Sequence, residues 1–517
     1  MPDPFSAWSL PLLYCLGLLA AFGPTQNQWQ VARTTAGLAL LATMIAVVGS
    51  AIGAQFYPSE RDRLALTLAL LVALLGWVIV NYAARYLQGE PEQTRFIRAM
   101  LFTIACVSLL VVSRHLAVIV LAWSGTSVGL HFLLTYYRER KAAQIVAHKK
   151  FIASRLADLC LLVALVLVWS SAGTLTLDGL AAHLGSTPGL SAAMHWAAAL
   201  FALAAILRSA QLPLHGWLIQ VMEAPTPVSA LLHAGVVNIG GFVLIRLSDL
   251  VSAAPVAQAM LVIAGSLTAL LAGLVMMTRI SIKVRLAWST CAQMGFMLME
   301  VGLGMYELAL LHLVAHSLYK AYAFLNAGET VAESRSNDFV TPVQKRRSLL
   351  WYPTALIASA ALVAGSASAW QYLVPGFHLP LAASLIVALG LAPLLWFEQD
   401  ASPVQIARGV LGVIGLSQLY ALWHLLFADL APAAVAGAGW MVTWAVASIG
   451  LLYGLQVWLR LYPQGRVSSA LYPWAYCGFY LDETFTRLTF RLWPARLQPL
   501  RASSPGNPHP TELGEMP

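Results

Sequence analysis

Long apolar runs separated by short polar stretches are the dominant pattern of this chain. A helix needs roughly 17–25 apolar residues to cross a bilayer, and inside lipid its backbone polar groups must be satisfied within the helix itself. The pattern therefore predicts an all-α polytopic membrane protein with about 15 transmembrane helices. The apolar runs begin at about residues 5, 33, 64, 97, 115, 150, 195, 226, 256, 285, 306, 350, 378, 404 and 435.

Loop charges predict the orientation of these helices, because lysine and arginine concentrate in the cytoplasmic loops of membrane proteins. The bias predicts an N-terminus outside the cell and, with an odd number of helices, a C-terminus in the cytoplasm. The basic loops lie at 95–98, 138–150, 279–285, 335–347 and from 460 onward, and the loops without lysine or arginine lie at 171–194, 249–255, 371–377 and 428–434.

The composition agrees with a membrane protein and limits its partners. The 517 residues are 59% hydrophobic and only 10% charged, whereas soluble domains keep about a quarter of their residues charged. Loop residues that set topology account for the net charge of +8, so we expect membrane lipid and no nucleic acid as a partner. Five scattered cysteines form no CxxC or Cys/His cluster, and we expect no metal or other cofactor in this chain.

The stretch from 208 to 249 combines apolar character with groups that a bilayer disfavours. Each proline removes a backbone donor and interrupts a helix, and a broken helix is tolerated at membrane depth only beside protein or water. Ionisable groups beside such a break mark ion pathways, so we predict that the protein moves an ion, most simply a proton. The ionisable residues are Arg208, His215, Glu223, His233 and Arg246, and the prolines are Pro213, Pro225 and Pro227.

Two motifs in this stretch resemble the proton-conducting antiporter family, which includes the large membrane subunits of respiratory complex I and of Mrp sodium/proton antiporters. The resemblance implies two inverted repeats of five helices with at least one broken helix. The repeats would occupy 97–248 and 256–397, with further helices in 1–96 and 398–464. The motifs are Arg208-Ser-Ala-Gln-Leu-Pro-Leu-His215 and Met222-Glu-Ala-Pro-Thr-Pro-Val-Ser-Ala-Leu-Leu-His233.

The sixth predicted helix and the broken helix carry the candidates of the first repeat. Arg155 and Asp158 are three residues apart and share a helix face; they match the family's basic-then-acidic pair, with a structural ion pair as the alternative. Lys149 precedes them on the same helix. Arg208 occupies the position of the family's lysine, but arginine does not release its proton. We therefore expect a fixed charge there, with Asp158 or Glu223 as its counter-ion.

Two of the family's charged groups have no counterpart. The family's glutamate on helix five lies in the context Trp-Glu-Gly-Val-Gly-Leu, and the stretch Ser124-Gly-Thr-Ser-Val-Gly-Leu130 puts Thr126 at its position. A lysine–glutamate switch of the complex I type therefore lacks both titrating members. The family's last charged group, on a second broken helix, has no match between 350 and 375; His378 and Glu398 flank the gap.

A later helix carries the strongest candidates for proton transfer. His312, His316 and Lys320 follow one another at intervals of four residues, so they stack on one side of a helix. Histidine titrates near neutrality, and a buried lysine can join it. The row predicts a proton pathway, against the alternative that each histidine is a satisfied core residue. Its surroundings resemble the family's second repeat, and His233 matches a helix-eight histidine that would link the two repeats.

The segment 465–501 mixes aromatic and charged residues, and we predict a cytoplasmic interfacial or partner-docking tail there. Tyrosine and tryptophan are enriched at buried protein contacts. The end of the chain, 502–517, is rich in Pro, Ser and Glu and is predicted to be disordered. The candidate docking residues are Tyr472, Trp474, Tyr476, Phe479, Tyr480, Asp482 and Glu483.

Within the family, the chain resembles the membrane subunits of two-component inorganic carbon accumulation complexes of bacteria. The changed helix-five position, the motif Gly235-Val-Val-Asn-Ile-Gly-Gly241 and the aromatic tail carry this resemblance. It implies a subunit of the bacterial inner membrane that conducts a cation, taken to be a proton, and is not itself an enzyme. A large cytoplasmic partner with a carbonic-anhydrase-like zinc site would hydrate carbon dioxide.

Two other functions stay open at this point. A subunit of a sodium/proton antiporter or of an NADH-quinone oxidoreductase-like complex would need sodium ligands, for which Thr126, Ser127 and Asp158 are the candidates. A structural membrane anchor for a cytoplasmic enzyme would explain the missing switch residues, but not the row from His312 to Lys320. The sequence does not distinguish a proton from sodium, or carbon dioxide from bicarbonate.

Overall fold

A computed structural model describes residues 5–23, 27–51, 60–187, 189–329, 349–397, 401–428, 430 and 437–493. The predicted disordered end at 502–517 and the flanking residue Glu398 lie outside these ranges. The described part is helical apart from turns, loops and one isolated antiparallel bridge between His115 and Thr176. The predicted all-α class is therefore confirmed.

Helices of very different length build the first half of the chain. The first six helices are long, and mostly shorter ones follow, because prolines, glycines and loop residues interrupt the later apolar runs. The helices are α1 (Phe5–Ala20), α2 (Gln28–Ala51), α3 (Glu60–Tyr86), α4 (Gln93–Val112), α5 (Leu116–Leu134), α6 (Lys141–Ala172), α7 (Leu177–Ser186), α8 (Ala192–Arg208), α9 (Gly216–Ile219), α10 (Thr226–Ala234), α11 (Ile239–Arg246) and α12 (Ser248–Ser252).

Mostly long helices build the second half, and two short ones close it. They are α13 (Pro255–Met276), α14 (Ile282–Gly302), α15 (Tyr306–Leu325), α16 (Trp351–Leu373), α17 (Leu381–Leu391), α18 (Pro403–Ala428), α19 (Gly439–Leu461), α20 (Arg466–Tyr476) and α21 (Leu481–Leu492).

Many of these helices can cross a membrane. Within the described ranges, eleven helical segments are long and apolar enough to cross a membrane. Three shorter apolar helices accompany them: Trp8–Ala20, Ala192–Arg208 and Leu381–Leu395. Outer positions such as Leu121 and Val166 are apolar and exposed, by 72% and 66%. Apolar side chains on the outside of a helical bundle suit contact with lipid. The chain is a polytopic membrane protein.

The predicted helix starts agree with the structure to within a few residues, with one clear exception. Starts predicted at about 226 and 306 fall at Thr226 and Tyr306. In contrast, α6 begins at Lys141 and not near 150, because its first turns contain charged residues that a search for apolar runs excludes. Lys149 and Lys150 are nevertheless buried, since neighbouring protein and not lipid surrounds them.

The chain breaks between α8 and α10, as the prolines predict. The helix α8 ends at Arg208, α9 is a single turn, and a 3-10 turn at Gln220–Glu223 leads towards α10. Pro225 lies directly before α10, where a missing N–H removes no helix hydrogen bond. The break thus ends α8 at a buried cation.

The later interruption does not lie in the 350–375 region that the sequence analysis searched. The helix α16 is continuous from Trp351 to Leu373. The interruption instead follows α17, which tightens into a 3-10 turn at Ala392–Leu395 with a proline in its first turn. Neither α16 nor α17 contains a charged residue. The family's last charged group therefore has no counterpart on either helix.

The two tail helices pack back onto the rest of the chain. With 11 and 12 residues, they are too short to span a bilayer. The helix α21 lies against α6 and α9 and buries Phe485 and Thr489. Beyond its end, the indole ring of Trp493 stacks on His148 of α6, with 4.0 Å between the ring centroids. The tail is therefore anchored to the helix that carries Asp158.

Helices α13 and α14 approach each other closely at a pair of glycines. A Cβ atom added at Gly265 would overlap the backbone of Gly295 and Met299, and one added at Gly295 would overlap the carbonyl of Gly265. Small residues at such crossings let membrane helices make van der Waals contact along their backbones. This crossing fixes α14 in place beside α15.

We predict that Gly295→Ala lowers the thermal stability of the detergent-solubilised protein. The added methyl group has no space, and overpacking of this kind costs about 1–3 kcal/mol. The control is Gly365→Ala in α16, where a Cβ meets no atom within 4 Å and alanine is the better helix former by about 0.5–1 kcal/mol. The measurement is the melting temperature from fluorescence-detected size-exclusion chromatography. Equal melting temperatures for both variants would contradict the close crossing.

Candidate functional site

Asp158 of α6 lies between two arginines in the interior of the protein. Its Oδ2 atom is 2.7 Å from Nη2 of Arg155, and Nη2 of Arg208 donates a hydrogen bond to its Oδ1 atom. The hydroxyl of Ser124 also donates to Oδ1, at 2.6 Å. Burying a carboxylate is tolerated when charged and hydrogen-bonding partners surround it. The predicted pair of Arg155 and Asp158 is thus a triad with Arg208, and it carries a net positive charge.

Arg208 is held by the backbone as well as by Asp158. Its Nη1 atom donates to the carbonyl of Trp123 at 2.7 Å, and its guanidinium lies over the Trp123 ring, 4.8 Å from the ring centre. A planar guanidinium can bond both partners at once. Of the two counter-ions predicted for Arg208, Asp158 is correct and Glu223 is wrong. Glu223 instead lies on the surface next to Arg140, with 3.9 Å between Nη1 and Oε2.

Lys150 is a buried cation that the sequence analysis did not select. Its Nζ atom donates to the carbonyl of Ser127 at 3.0 Å and to its hydroxyl at 2.9 Å. The neighbouring Thr126, at the position of the family's glutamate, donates from its hydroxyl to the carbonyl of Trp123 at 2.6 Å. Helical periodicity could have found Lys150, because it lies eight residues before Asp158 on the same face.

The side chain of Lys149 contacts the C-terminal tail and not the residues around Asp158. Its Nζ atom is 2.7 Å from Oδ2 of Asp482 and 3.1 Å from Oε1 of Gln220. A Cβ added at Gly216 would overlap the Asp482 carboxylate. The predicted docking residue Asp482 is therefore turned inward onto the broken helix. Sequence analysis missed this contact because Lys149 and Asp482 are 333 residues apart.

The other predicted docking residues lie at or near the surface. Glu483 pairs with Arg487 on the same helix, 3.8 Å apart, and Phe479 packs partly into the core. Exposed tyrosine and tryptophan side chains on one segment are the composition of a protein interface. The four exposed aromatic residues, with 44% to 56% of their surface accessible, are Tyr472, Trp474, Tyr476 and Tyr480.

The row on α15 runs through the protein interior. The rings of His312 and His316 are 6.1 Å apart between centroids, and Lys320 follows one turn later. The Nζ atom of Lys320 donates to the carbonyl of Leu286 at 3.0 Å and to the hydroxyl of Ser289. Both His316 and Lys320 are buried. The helical spacing thus aligns three groups that can change protonation.

His233 of α10 contacts the helix that carries this row. Its ring stacks on Phe324 of α15, with 4.4 Å between centroids, and it lies close enough to His316 and Lys320 to interact with both electrostatically. Within the described part of the chain, neither ring nitrogen of His233 or His316 has a hydrogen-bond partner. Buried polar atoms of this kind are normally paired, so these four nitrogens are exceptional among the buried polar groups.

Glu300 of α14 extends the row and was missing from the predicted site. Its Oε2 atom is 2.9 Å from Nδ1 of His312, and the residue is buried. The signal for it was present, since it is the single carboxylate of α14 and lies in the apolar second half of that helix, and intramembrane carboxylates mark function. Glu300, His312, His316 and Lys320 together give four exchangeable groups on two adjoining helices.

Comparison with known proteins identifies the family. Residues 113–369 match the model of the NADH:quinone oxidoreductase/Mrp antiporter transmembrane family. The chain is 38% identical over 510 residues to the probable inorganic carbon transporter subunit DabB of Hydrogenovibrio crunogenus, covering 94% of each chain. It is also 38% identical over 513 residues to DabB2 of Halothiobacillus neapolitanus, covering 95% of this chain and 88% of that one.

A solved structure supports the same fold. The Mrp complex of Dietzia sp. matches with a TM-score of 0.59 and 21% identity, over 93% of this chain and 60% of the matched chain. The family match covers the broken helix, Arg208 and the row on α15, and the similarity to the DabB subunits extends over nearly the whole length. The chain therefore belongs to the NADH:quinone oxidoreductase/Mrp antiporter family of membrane proteins, in the branch that contains the DabB subunits.

Proposed function

We propose that this chain is the proton-conducting membrane subunit of an energy-coupled complex that accumulates inorganic carbon. The observation that carries the proposal is the buried line of exchangeable groups on α14 and α15, in a chain 38% identical to a DabB subunit over 94% of its length. Proton movement through a membrane needs groups that change protonation at short intervals. His312, His316 and Lys320 supply such groups.

The proposed complex divides the work between two subunits. A large cytoplasmic partner of the DabA type, with a carbonic-anhydrase-like zinc site, would convert carbon dioxide and water into bicarbonate and a proton. This chain would conduct protons down their gradient and thereby make the hydration run in one direction. It would lie in the bacterial inner membrane with about 15 spanning helices in two inverted repeats, N-terminus outside and C-terminus in the cytoplasm, as the loop charges favour.

In this proposal the charged groups of the first repeat are fixed charges and do not carry protons. Arg208 keeps its proton under all ordinary conditions, so the triad of Arg155, Asp158 and Arg208 is a fixed charge that biases the buried Lys150 beside it. Sodium transport would need free oxygen ligands for the ion. The three candidates, Thr126, Ser127 and Asp158, instead have separate protein partners, which favours a proton over sodium.

Replacing the exchangeable groups of the row should stop carbon accumulation without disrupting the complex. We expect Lys320→Met and His316→Ala to abolish growth in ambient air of a host that otherwise requires elevated carbon dioxide. Co-purification with the partner and the partner's zinc content should stay normal, because both side chains are buried away from the surface. The matched control is Lys283→Met, whose amino group donates to Thr226 outside the row. Full growth with Lys320→Met would remove the row from the mechanism and favour the structural-anchor alternative.

Arg208 should act through its fixed charge. Arg208→Lys keeps a cation beside Asp158 but cannot bond Trp123 and Asp158 as a fork, so uptake should persist with a changed pH dependence. Arg208→Met leaves the buried carboxylate with one arginine fewer and should lower bicarbonate uptake at least tenfold. The measurement is uptake of labelled bicarbonate across a pH series, with the exposed Arg487→Met as control. Uptake of the Met variant at the wild-type level would exclude Arg208 from the pathway.

The exposed aromatic residues of the tail should hold the partner. We expect the double variant Tyr472→Ser/Trp474→Ser to lose co-purification of the cytoplasmic subunit while its melting temperature stays within a few degrees of wild type. Both side chains are more than half exposed, so their loss removes little internal packing. The control is Trp196→Ser, a comparably exposed tryptophan on α8. If the double variant still co-purifies with the cytoplasmic subunit, the docking surface lies elsewhere.

A further inference from the structure

A cavity of about 310 Å³ lies at the opposite end of α15 from Lys320. The first turn of α15, the loop between α16 and α17, and the end of α18 line this cavity. Three groups able to carry a proton line it: Glu307, His378 and His424. The loop charges predict that this end of the helices faces outside. None of these groups belongs to the row described above.

Glu307 and His424 form a pair at the wall of this cavity. Oε2 of Glu307 is 3.3 Å from Nδ1 of His424, and His424 is nine-tenths buried. Its Nδ1 atom nevertheless makes no hydrogen bond within the described residues. The ring also packs edge-on against Phe377, with 5.5 Å between centroids, and lies beside the backbone of His378. A buried imidazole paired with a carboxylate at the wall of a cavity is able to pass a proton to or from water.

The pair continues inward to the row. Glu300, which binds His312, and Glu307 lie at the two ends of the short turn between α14 and α15. The phenol of Tyr420 on α18 is close enough to both carboxylates to interact with each electrostatically. Tyr420 packs against the apolar cluster of Met299, Met305 and Leu308, next to the residues that flank Glu300 and Glu307, and is therefore the candidate link between the two acidic groups. The sequence of groups from the cavity inward is Glu307 with His424, then Tyr420, then Glu300 with His312, then His316 and Lys320.

We propose that this cavity is the outward half-channel of the proton pathway, which rests on the function proposed above. In this proposal the cavity takes over the role of the family's last charged group, because neither α16 nor α17 carries a charged residue. A proton from outside water binds the Glu307 carboxylate, moves to Glu300 by way of Tyr420, and is passed to the imidazole of His312. Each group returns to its starting form when it gives up its proton, so the net event is the inward transfer of one proton.

Thiol labelling tests the cavity independently of transport. In right-side-out vesicles containing the complete complex, with Cys15 and Cys477 replaced by serine, Glu307→Cys should react with a membrane-impermeant methanethiosulfonate added outside. The matched control Leu310→Cys, fully buried on the same helix, should stay unlabelled. Glu307→Cys that reacts only in inverted vesicles, or not at all, would overturn the outward half-channel.

Proton flux tests the role of the carboxylate. In liposomes holding the complex, Glu307→Gln should lower potential-driven proton flux at least tenfold, Glu307→Asp should keep most of it, and His424→Gln should resemble Glu307→Gln. The control is Asp178→Asn, a carboxylate on the same side of the protein but away from the cavity. If Glu307→Gln conducts like wild type while Lys320→Met does not, the half-channel is wrong and the proposed function stands. If the wild-type complex conducts no protons, both the half-channel and the proposed function are wrong, whatever the labelling result.

Discussion

The energetic penalty of placing a charge in a low-dielectric interior governs how this protein is built. A buried ion must be paired or hydrogen-bonded, or must be able to lose its charge. Asp158 meets this requirement through Arg155, Arg208 and Ser124. Lys320 meets it differently, through one carbonyl and one hydroxyl. The two solutions separate the fixed charges around α6 and α8 from the exchangeable groups around α15.

This separation explains why the chain can lose the family's lysine–glutamate switch. Arginine in place of lysine, and Thr126 in place of the acid, leave no exchangeable pair at the first broken helix. The positive charge of the triad remains and acts on its buried neighbour Lys150 through a medium that screens charge weakly. In the proposed pathway, exchange of protons is left to the histidines, the lysine and the two glutamates around α15. In that pathway, Glu307 and His424 form the outward half, and the row on α15 continues it inward.

Sequence reasoning predicted the helices well because lipid imposes a simple rule. Apolar length alone located most helix starts, and the rule failed at α6, where protein surrounds Lys149 and Lys150. The row on α15 was predictable from its spacing of four residues. Lys150 was within reach of the same argument through helical periodicity, and Glu300 was recognisable as a lone carboxylate in the apolar second half of α14.

Contacts between distant parts of the chain were beyond such reasoning. Asp482 is paired with Lys149, and Glu307 with His424, yet no local pattern links these residues. The tail shows the consequence most clearly. Four of the five aromatic residues predicted to meet a partner are exposed, whereas the side chain of Asp482 lies against Gly216. The surface proposed to dock a partner is therefore joined to the broken helix through Asp482 of α21.

Proton flux through the purified complex in liposomes tests the central claim most directly. A potassium diffusion potential, negative inside, is imposed on liposomes that contain a pH-sensitive dye. The account predicts acidification of the lumen that exceeds the leak of empty liposomes and is unchanged when choline replaces sodium on both sides. Acidification that requires sodium, or none above the leak, would contradict it.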